Sequence, residues 1–198
     1  MKAVSKETAH VVRGLIIDMI LATDMAKHFD LIGKFKSKLS MSGVNLSLPE
    51  HRNEVLKILT KASDVGHAAK NSVLHQKWTE MVCEEFFNQG DKEKKLGFPV
   101  SMFCDREKTD LAKSQIGFIK NIVMPIYESL YLCFLSDDIK KSCCEQLEDN
   151  VKMWESSVFK KRVMTLSVES NNELNLKQRT ETIAGKNRVS YKSLLVNE

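Results

Sequence analysis

The sequence has five cysteines, Cys83, Cys104, Cys133, Cys143 and Cys144, but no CxxC pair. Their odd number and irregular spacing exclude a disulfide framework and speak against a zinc finger, so they read as reduced, intracellular thiols. A long apolar run is also missing. The stretch from Val11 to Met25 is interrupted by Arg13, Gly14, Asp18, Thr23 and Asp24, whereas a membrane span needs roughly 20 predominantly apolar residues. The opening MKAVSKETAH lacks signal-peptide anatomy. The expectation is a buried helix over 11–25, no membrane span and a cytoplasmic protein. Nor is there a concentrated basic face. Thirty Lys and Arg oppose 26 Asp and Glu, and from Lys160 onward eight basic residues oppose four acidic ones, so the tail carries the whole excess. A net-neutral body argues against a nucleic-acid partner. No internal repeat is present, and no strand pattern competes with helical spacing before the tail.

What is present is helical periodicity in a chain of 198 residues, 42% of them hydrophobic. That suffices for one domain with a substantial core or for a good part of a larger one. From about Lys6 to Leu39 apolar residues recur at Val12, Leu15, Ile16, Met19, Ile20 and Thr23, then at Phe29, Leu31, Ile32 and Phe35, with Gly33 as the expected break. The run SMSGVNL (40–46) reads as a loop. Ser47 as N-cap, Pro49 in the first turn and Glu50 at the positive end predict a helix that ends near Gly66. Asp64 falls at its C-terminal end, where an acid is unfavourable unless a cation meets it, either a lysine or a metal ion.

Ser72 to Gln89 is the clearest helix. Leu74, Trp78, Met81, Val82, Glu85 and Phe86 are predicted to share an inward face, opposite Gln76, Lys77, Glu80, Glu84 and Asn88. Glu85 then needs a buried histidine or arginine, or a path to solvent between helices. Gly90, Gly97 and Pro99 bound a predicted loop in which DKEKK is solvated charge, while Met102 and Phe103 fold back over something. Asp105 is the expected cap of the next helix, which carries Leu111, Gln115, Phe118 and Ile122 along one stripe. Gln115 is the polar exception. It is either a core glutamine with internal partners or an amide that reads a base edge while Phe118 covers the ring. Pro125 is expected to end or kink this helix, and Ser136 with Asp137 to begin a last one ending near Trp154. Residues 161–198 form a polar, mildly basic tail expected to be disordered. The fold class is all-α.

The segments ATDMAKH, ASDVGHAAK, LHQKWTEMVCEEFFNQGDKEKKLGFP, CDR and KSQIGFI occur in one order. Together they resemble the second half of the catalytic domain of class I 3′,5′-cyclic-nucleotide phosphodiesterases, over roughly Val12 to Trp154. His67 with Lys70, the GDKE run and CDR are most similar to the calmodulin-regulated branch. The resemblance implies that residues 1–160 are the C-terminal part of such a domain, incomplete on its N-terminal side. It implies Asp64 as ligand of the tightly held metal and Thr23 as a contact to water on the second. Glu85 would orient the general-acid histidine. Gln115 would hold the purine, Phe118 would stack on it, and Val82 and Phe86 would form the opposite wall. His67, His75, Trp78, Thr79, Phe103 and Ser114 would line the pocket.

The implied activity is hydrolysis of cyclic AMP, cyclic GMP or both to the 5′-monophosphate in cyclic-nucleotide signalling. Zinc and magnesium would activate the attacking water. The sequence departs from the family in one serious respect. The HNxxHA and HD motifs that supply the remaining metal ligands and the general acid have no counterpart, and the five histidines, His10, His28, His51, His67 and His75, are scattered. A single carboxylate cannot hold two metals, so the expectation is a fragment that does not turn over on its own. The alternative is an inactive nucleotide-binding or regulatory helical module whose partner is a full-length phosphodiesterase subunit. Met102, where the family has proline, is a smaller departure.

Overall fold

The computed structural model describes residues 5–156, and within them all regular secondary structure is helical. In order come α1 (Lys6–Ala22), a 3₁₀ turn (Met25–Lys27), α2 (His28–Met41), α3 (Pro49–Asp64), a second 3₁₀ turn (Gly66–Ala69) and α4 (Ser72–Leu96). There follow α5 (Leu111–Phe118), a π-helical stretch (Ile119–Val123), α6 (Met124–Phe134), α7 (Asp137–Ile139), a second π-helical stretch (Lys140–Glu145) and α8 (Gln146–Glu155). No strand occurs among the described residues, in agreement with the all-α expectation. The expected disorder of 161–198 lies outside them.

Helices α1, α4 and α7 start where a side chain takes up an exposed backbone N–H. Ser5 accepts from Thr8 N–H, Asn71 from Leu74 N–H and Ser136 from Ile139 N–H. Four boundaries differ from the sequence reading. The first break comes at Thr23–Asp24, where Asp24 accepts from Ala26 N–H at 2.9 Å and starts a new turn; Gly33 sits inside α2 with nothing near its Cβ position. The residue before α3 is Leu48, not Ser47. Arg52 instead straps that loop by donating to the carbonyls of Leu46 and Ser47 (2.8 and 2.9 Å). The cap of α5 is Asp110, which accepts from Lys113 N–H at 3.1 Å, while Asp105 is drawn away to Lys94 at 2.9 Å. Finally, α4 runs through Gly90 and DKEKK to Leu96 and closes on Gly97 at φ 74°.

Pro125 neither ends nor sharply breaks its helix. It lacks an N–H and crowds the carbonyl four residues back, and the ladder widens into π turns over Ile119–Val123 just before it. Helix therefore continues from Leu111 to Phe134.

The main core lies between α2, α3 and α6, where Ile32, Phe35, Val55, Ile58, Ala62, Ile126 and Leu130 are buried. Truncating a side chain such as Ile58 to alanine would cost about 2–5 kcal/mol. Two polar ties register the neighbouring elements against this core. Tyr127 Oη donates to Ala62 O at 3.0 Å, fixing the end of α3. Asn150, fully buried, donates to Ala68 O and Lys70 O, both at 2.8 Å, fixing the 66–69 turn on α8.

The expected buried helix over 11–25 is mostly exposed. Of α1 only Ala22 is buried, and Val11, Val12, Ile16, Ile17, Ile20 and Leu21 keep 45–61% of their surface. The helix packs chiefly on α3, which covers one of its faces. There Asn53 and Lys57 reach Asp18 at 2.8 and 3.3 Å.

Candidate functional site

The site is built on α4. Its buried stripe is His75, Thr79, Cys83 and Gly90, one position round from the predicted face. Val82 is half-buried, whereas Leu74, Trp78, Met81 and Phe86 remain 42–51% exposed, and Glu85 is exposed among them. The predicted inward Glu85 is thus corrected: it meets no buried histidine or arginine among the described residues, because nothing packs over that face of the helix. Its neighbour Glu84 is taken by Arg106, whose guanidinium donates to both carboxylate oxygens at 2.9 and 3.1 Å, reaches Asp91 at 3.4 Å and covers the Phe87 ring. Arg106 of the CDR run had no assigned role, although an arginine near two α4 acids is the signal that could have given one.

Arg106 is one of three clamps that press the 97–110 loop onto α4. Glu93 accepts from Ser101 N–H and from Ser101 Oγ, both at 2.7 Å, and these bonds hold its carboxyl below the usual range. Lys94 pairs with Asp105, lowering the acid and raising the amine. The loop approaches so closely that the Cys104 carbonyl occupies the space of a Gly90 side chain. At the tip, Phe103 adopts φ 66°, a conformation that costs a non-glycine residue about 1–2 kcal/mol.

Between this loop, α4 and α5 lies a cavity of about 990 Å³. Val82, Phe86, Phe103, Ser114, Gln115 and Phe118 line it together, and Cys83 and Asn121, not anticipated from sequence, join them. Burial, with Glu84 adding to it, pushes the Cys83 thiol up to about 11, so it is a neutral wall group. Ser114 spends its hydroxyl on Asp110 O at 2.8 Å.

A second layer backs Gln115 and Phe118. Thr79, 1% exposed, donates to Gln115 Oε1 at 3.4 Å. His67 stacks on Phe118 (centroids 6.1 Å, planes 14° apart) and on His75 (5.4 Å, 21°). His75 is fully buried and accepts from Trp154 Nε1 at 2.8 Å. Burial depresses both imidazoles, His75 to about 4. Trp154, expected only as the end of the last helix, is thus joined to this layer; an aromatic closing an amphipathic helix was the available signal.

The remaining expected residues stand apart. Trp78 is half-exposed and outside the cavity lining. Asp64 ends α3 exposed, and Thr23 turns its hydroxyl back to Ile20 O at 2.8 Å. A lysine does stand near Asp64. Lys61, 1% exposed, donates to the carbonyls of Ala22 and Thr23 at 3.3 Å. Burial lowers its pKa, and Asp64 and Asp24 oppose that shift. Among the described residues no group of three or more His, Cys, Asp or Glu converges as a metal site. The side chains present therefore do not fit a bound metal pair. No described helix is long and apolar enough to cross a membrane.

Residues 1–147 match the family model for 3′5′-cyclic nucleotide phosphodiesterase. The chain is similar to a dual 3′,5′-cyclic-AMP and -GMP phosphodiesterase beta of Plasmodium falciparum, with 32% identity over 195 residues, 96% of this chain and 17% of the relative. It is 38% identical over 158 residues to the dual specificity calcium/calmodulin-dependent 3′,5′-cyclic nucleotide phosphodiesterase 1B of Bos taurus, covering 79% of this chain and 28% of that one. The solved structure of LmjPDEB1 in complex with IBMX is similar at a TM-score of 0.70 and 32% identity, over 77% of this chain and 45% of the solved one. The chain thus spans less than a third of either curated relative.

Proposed function

The chain belongs to the 3′5′-cyclic nucleotide phosphodiesterase family, and from that premise we propose that its described part is the base-recognition wall of a site that hydrolyses cyclic AMP, cyclic GMP or both. The carrying observation is the cavity of about 990 Å³ with Gln115 and Phe118 on one wall and Val82 and Phe86 on another. Its volume and mainly apolar lining suit a ligand of nucleotide size. A flat purine between Phe118 and the α4 side chains buries both faces. The Gln115 amide offers a donor and an acceptor to the base edge. Ser114, Phe103 and Thr79 support that geometry, the last by holding Gln115 Oε1, and His67 and His75 buttress Phe118.

Hydrolysis itself needs more than this wall. Water must attack phosphorus as the 3′ oxygen leaves with a proton, giving the 5′-monophosphate. Enzymes of the family use divalent metals, whereas the described residues offer no converging set of ligands. We therefore assign Asp64, Thr23 and Glu85 to a catalytic edge completed by groups outside the described residues, in the same polypeptide or in a phosphodiesterase subunit that pairs with it. The uncovered state of Trp78, Met81 and Glu85 on α4 supports that reading. The purified chain is expected to bind nucleotide without turning it over, in a cytoplasmic setting.

The test is titration of the chain with cyclic AMP and cyclic GMP, with 5′-monophosphate formation followed in parallel. Gln115→Ala should weaken binding about tenfold, the equivalent of one good hydrogen bond in a buried site. Unchanged affinity in that variant would overturn the base-clamp reading, and metal-dependent turnover by the chain alone would overturn the statement that it needs outside groups.

A further inference from the structure

We propose that the last turn of α4 and the start of the loop after it form a docking surface for an anionic membrane, on which the chain lies as a peripheral protein. Leu96, Phe98 and Met102 keep 63–79% of their surface exposed within one short segment, and apolar exposure gathered in this way marks a contact site. Local chemistry explains why Phe98 is uncovered. Helix α4 closes with Gly97 N–H donating to Lys94 O at 3.2 Å and Phe98 N–H donating to Glu93 O at 2.9 Å. In such a closure the residue in the place of Phe98 ordinarily packs on an apolar one in the last turns of the helix. Here those places hold Lys92 and Glu93, so the ring has no seat on its own helix. Ser101 is bonded to Glu93 and Asp105 to Lys94. These clamps hold the segment in place, and docking therefore costs little ordering.

The charges choose the partner. The acids of residues 91–108 are Asp91, Glu93, Asp105 and Glu107, and each is engaged: Asp91 by Arg106, Glu93 by Ser101, and Asp105 and Glu107 by Lys94. Lys92 and Lys95 are exposed and join no ion pair among the described residues. Lys92 precedes Lys95 by three positions and Leu96 by four, so all three share one side of the turn. Two uncommitted lysines beside an exposed leucine, phenylalanine and methionine complement a surface whose headgroups are anionic and whose interior is apolar. A second copy of the chain fits less well, since a two-fold pairing of this patch would set the lysines of each copy against those of the other.

The test is flotation of the full chain with vesicles of phosphatidylcholine alone and of phosphatidylcholine mixed with phosphatidylserine. Binding is expected to the mixed vesicles and should weaken as salt is added. Lys92→Gln and Lys95→Gln should each reduce it about fivefold, and Phe98→Ser about tenfold or more. All three positions are exposed, so thermal unfolding should stay nearly unchanged. Phe98→Trp supplies a gain of signal in case serine disturbs the helix end: brominated lipid should quench its fluorescence beyond the quenching seen in the wild type, and equal quenching overturns the proposal. No binding by the wild-type chain overturns it as well. So does binding that the lysine and serine variants retain in full, which would place the contact elsewhere, for instance on the basic residues from Lys160 onward. A wild-type dimer in sedimentation that Phe98→Ser abolishes, without flotation, overturns the proposal in favour of a second copy.

Discussion

Replacing Gly90 by alanine sets two effects of opposite sign against each other. Glycine inside a helix is destabilising by roughly 0.5–1 kcal/mol relative to alanine, and Gly90 is interior to α4. Helix propensity alone therefore predicts a more stable protein. The packing predicts the reverse. A Cβ at this position would lie 1.9 Å from the Cys104 carbonyl oxygen, 2.7 Å from its carbon and 3.1 Å from Cys104 Cβ. These are largely backbone atoms that no rotamer change can remove, so the 97–110 loop must shift outward by about 1 Å or more against its clamps. Overpacking of this kind costs about 1–3 kcal/mol, and loosened loop contacts add to it. We expect a net loss of about 1–2 kcal/mol, or about 2–8 °C in Tm for a chain of this size. Because Val100, Ser101, Met102 and Phe103 line the cavity, cyclic-nucleotide affinity should fall as well. Thermal unfolding of the two proteins side by side decides the matter: an equal or higher Tm for Gly90→Ala would refute the close approach on which the loop placement rests.

Three further perturbations follow from the same contacts. Asn150→Ala strands the Ala68 and Lys70 carbonyls and should cost about 1–3 kcal/mol in urea unfolding, with a shifted His67 NMR signal. Arg106→Ala breaks the two-pronged bond to Glu84 and the stacking on Phe87; the loss should be about 1 kcal/mol and should be only partly restored by lysine, which cannot grip both oxygens of the carboxylate. Acid should unfold the protein through its histidines. His75 titrates near 4 when folded against 6.5 when unfolded, so the unfolded chain takes up a proton first as pH falls. Its contribution is complete above about 6.5 and is lost toward 4, on the order of 3 kcal/mol, with His67 and His28 acting in the same direction. Unfolding free energies at several pH values should show this slope, and His75→Phe should flatten it.

The family-bearing segments were legible because they are local. ASDVGHAAK, the α4 run and KSQIGFI each lie within or beside one helix, and the match over residues 1–147 agrees with them. Part of the cavity's make-up was legible in the same way: helical spacing puts Val82 with Phe86, and Gln115 with Phe118, on one side of its own helix, and all four line one cavity. What failed was the inference from apolar to buried. Leu74, Trp78 and Met81, like Val12, Ile16 and Ile20, have the right period for a core face and remain exposed, because burial depends on what lies opposite, and among the described residues nothing does. Glu85 was misplaced for the same reason.

By itself the sequence determined that the chain is helical, where α1, α4 and α7 begin, and the apolar and amide groups available to a flat ligand, for these follow from interactions between residues a few positions apart. The tertiary structure alone decided which α4 stripe is covered, why Gly90 is a glycine, and that Trp154 reaches back to His75 and through it to His67. Those facts depend on groups 14 to 79 positions apart, and no local pattern encodes a contact whose partner is supplied by another element.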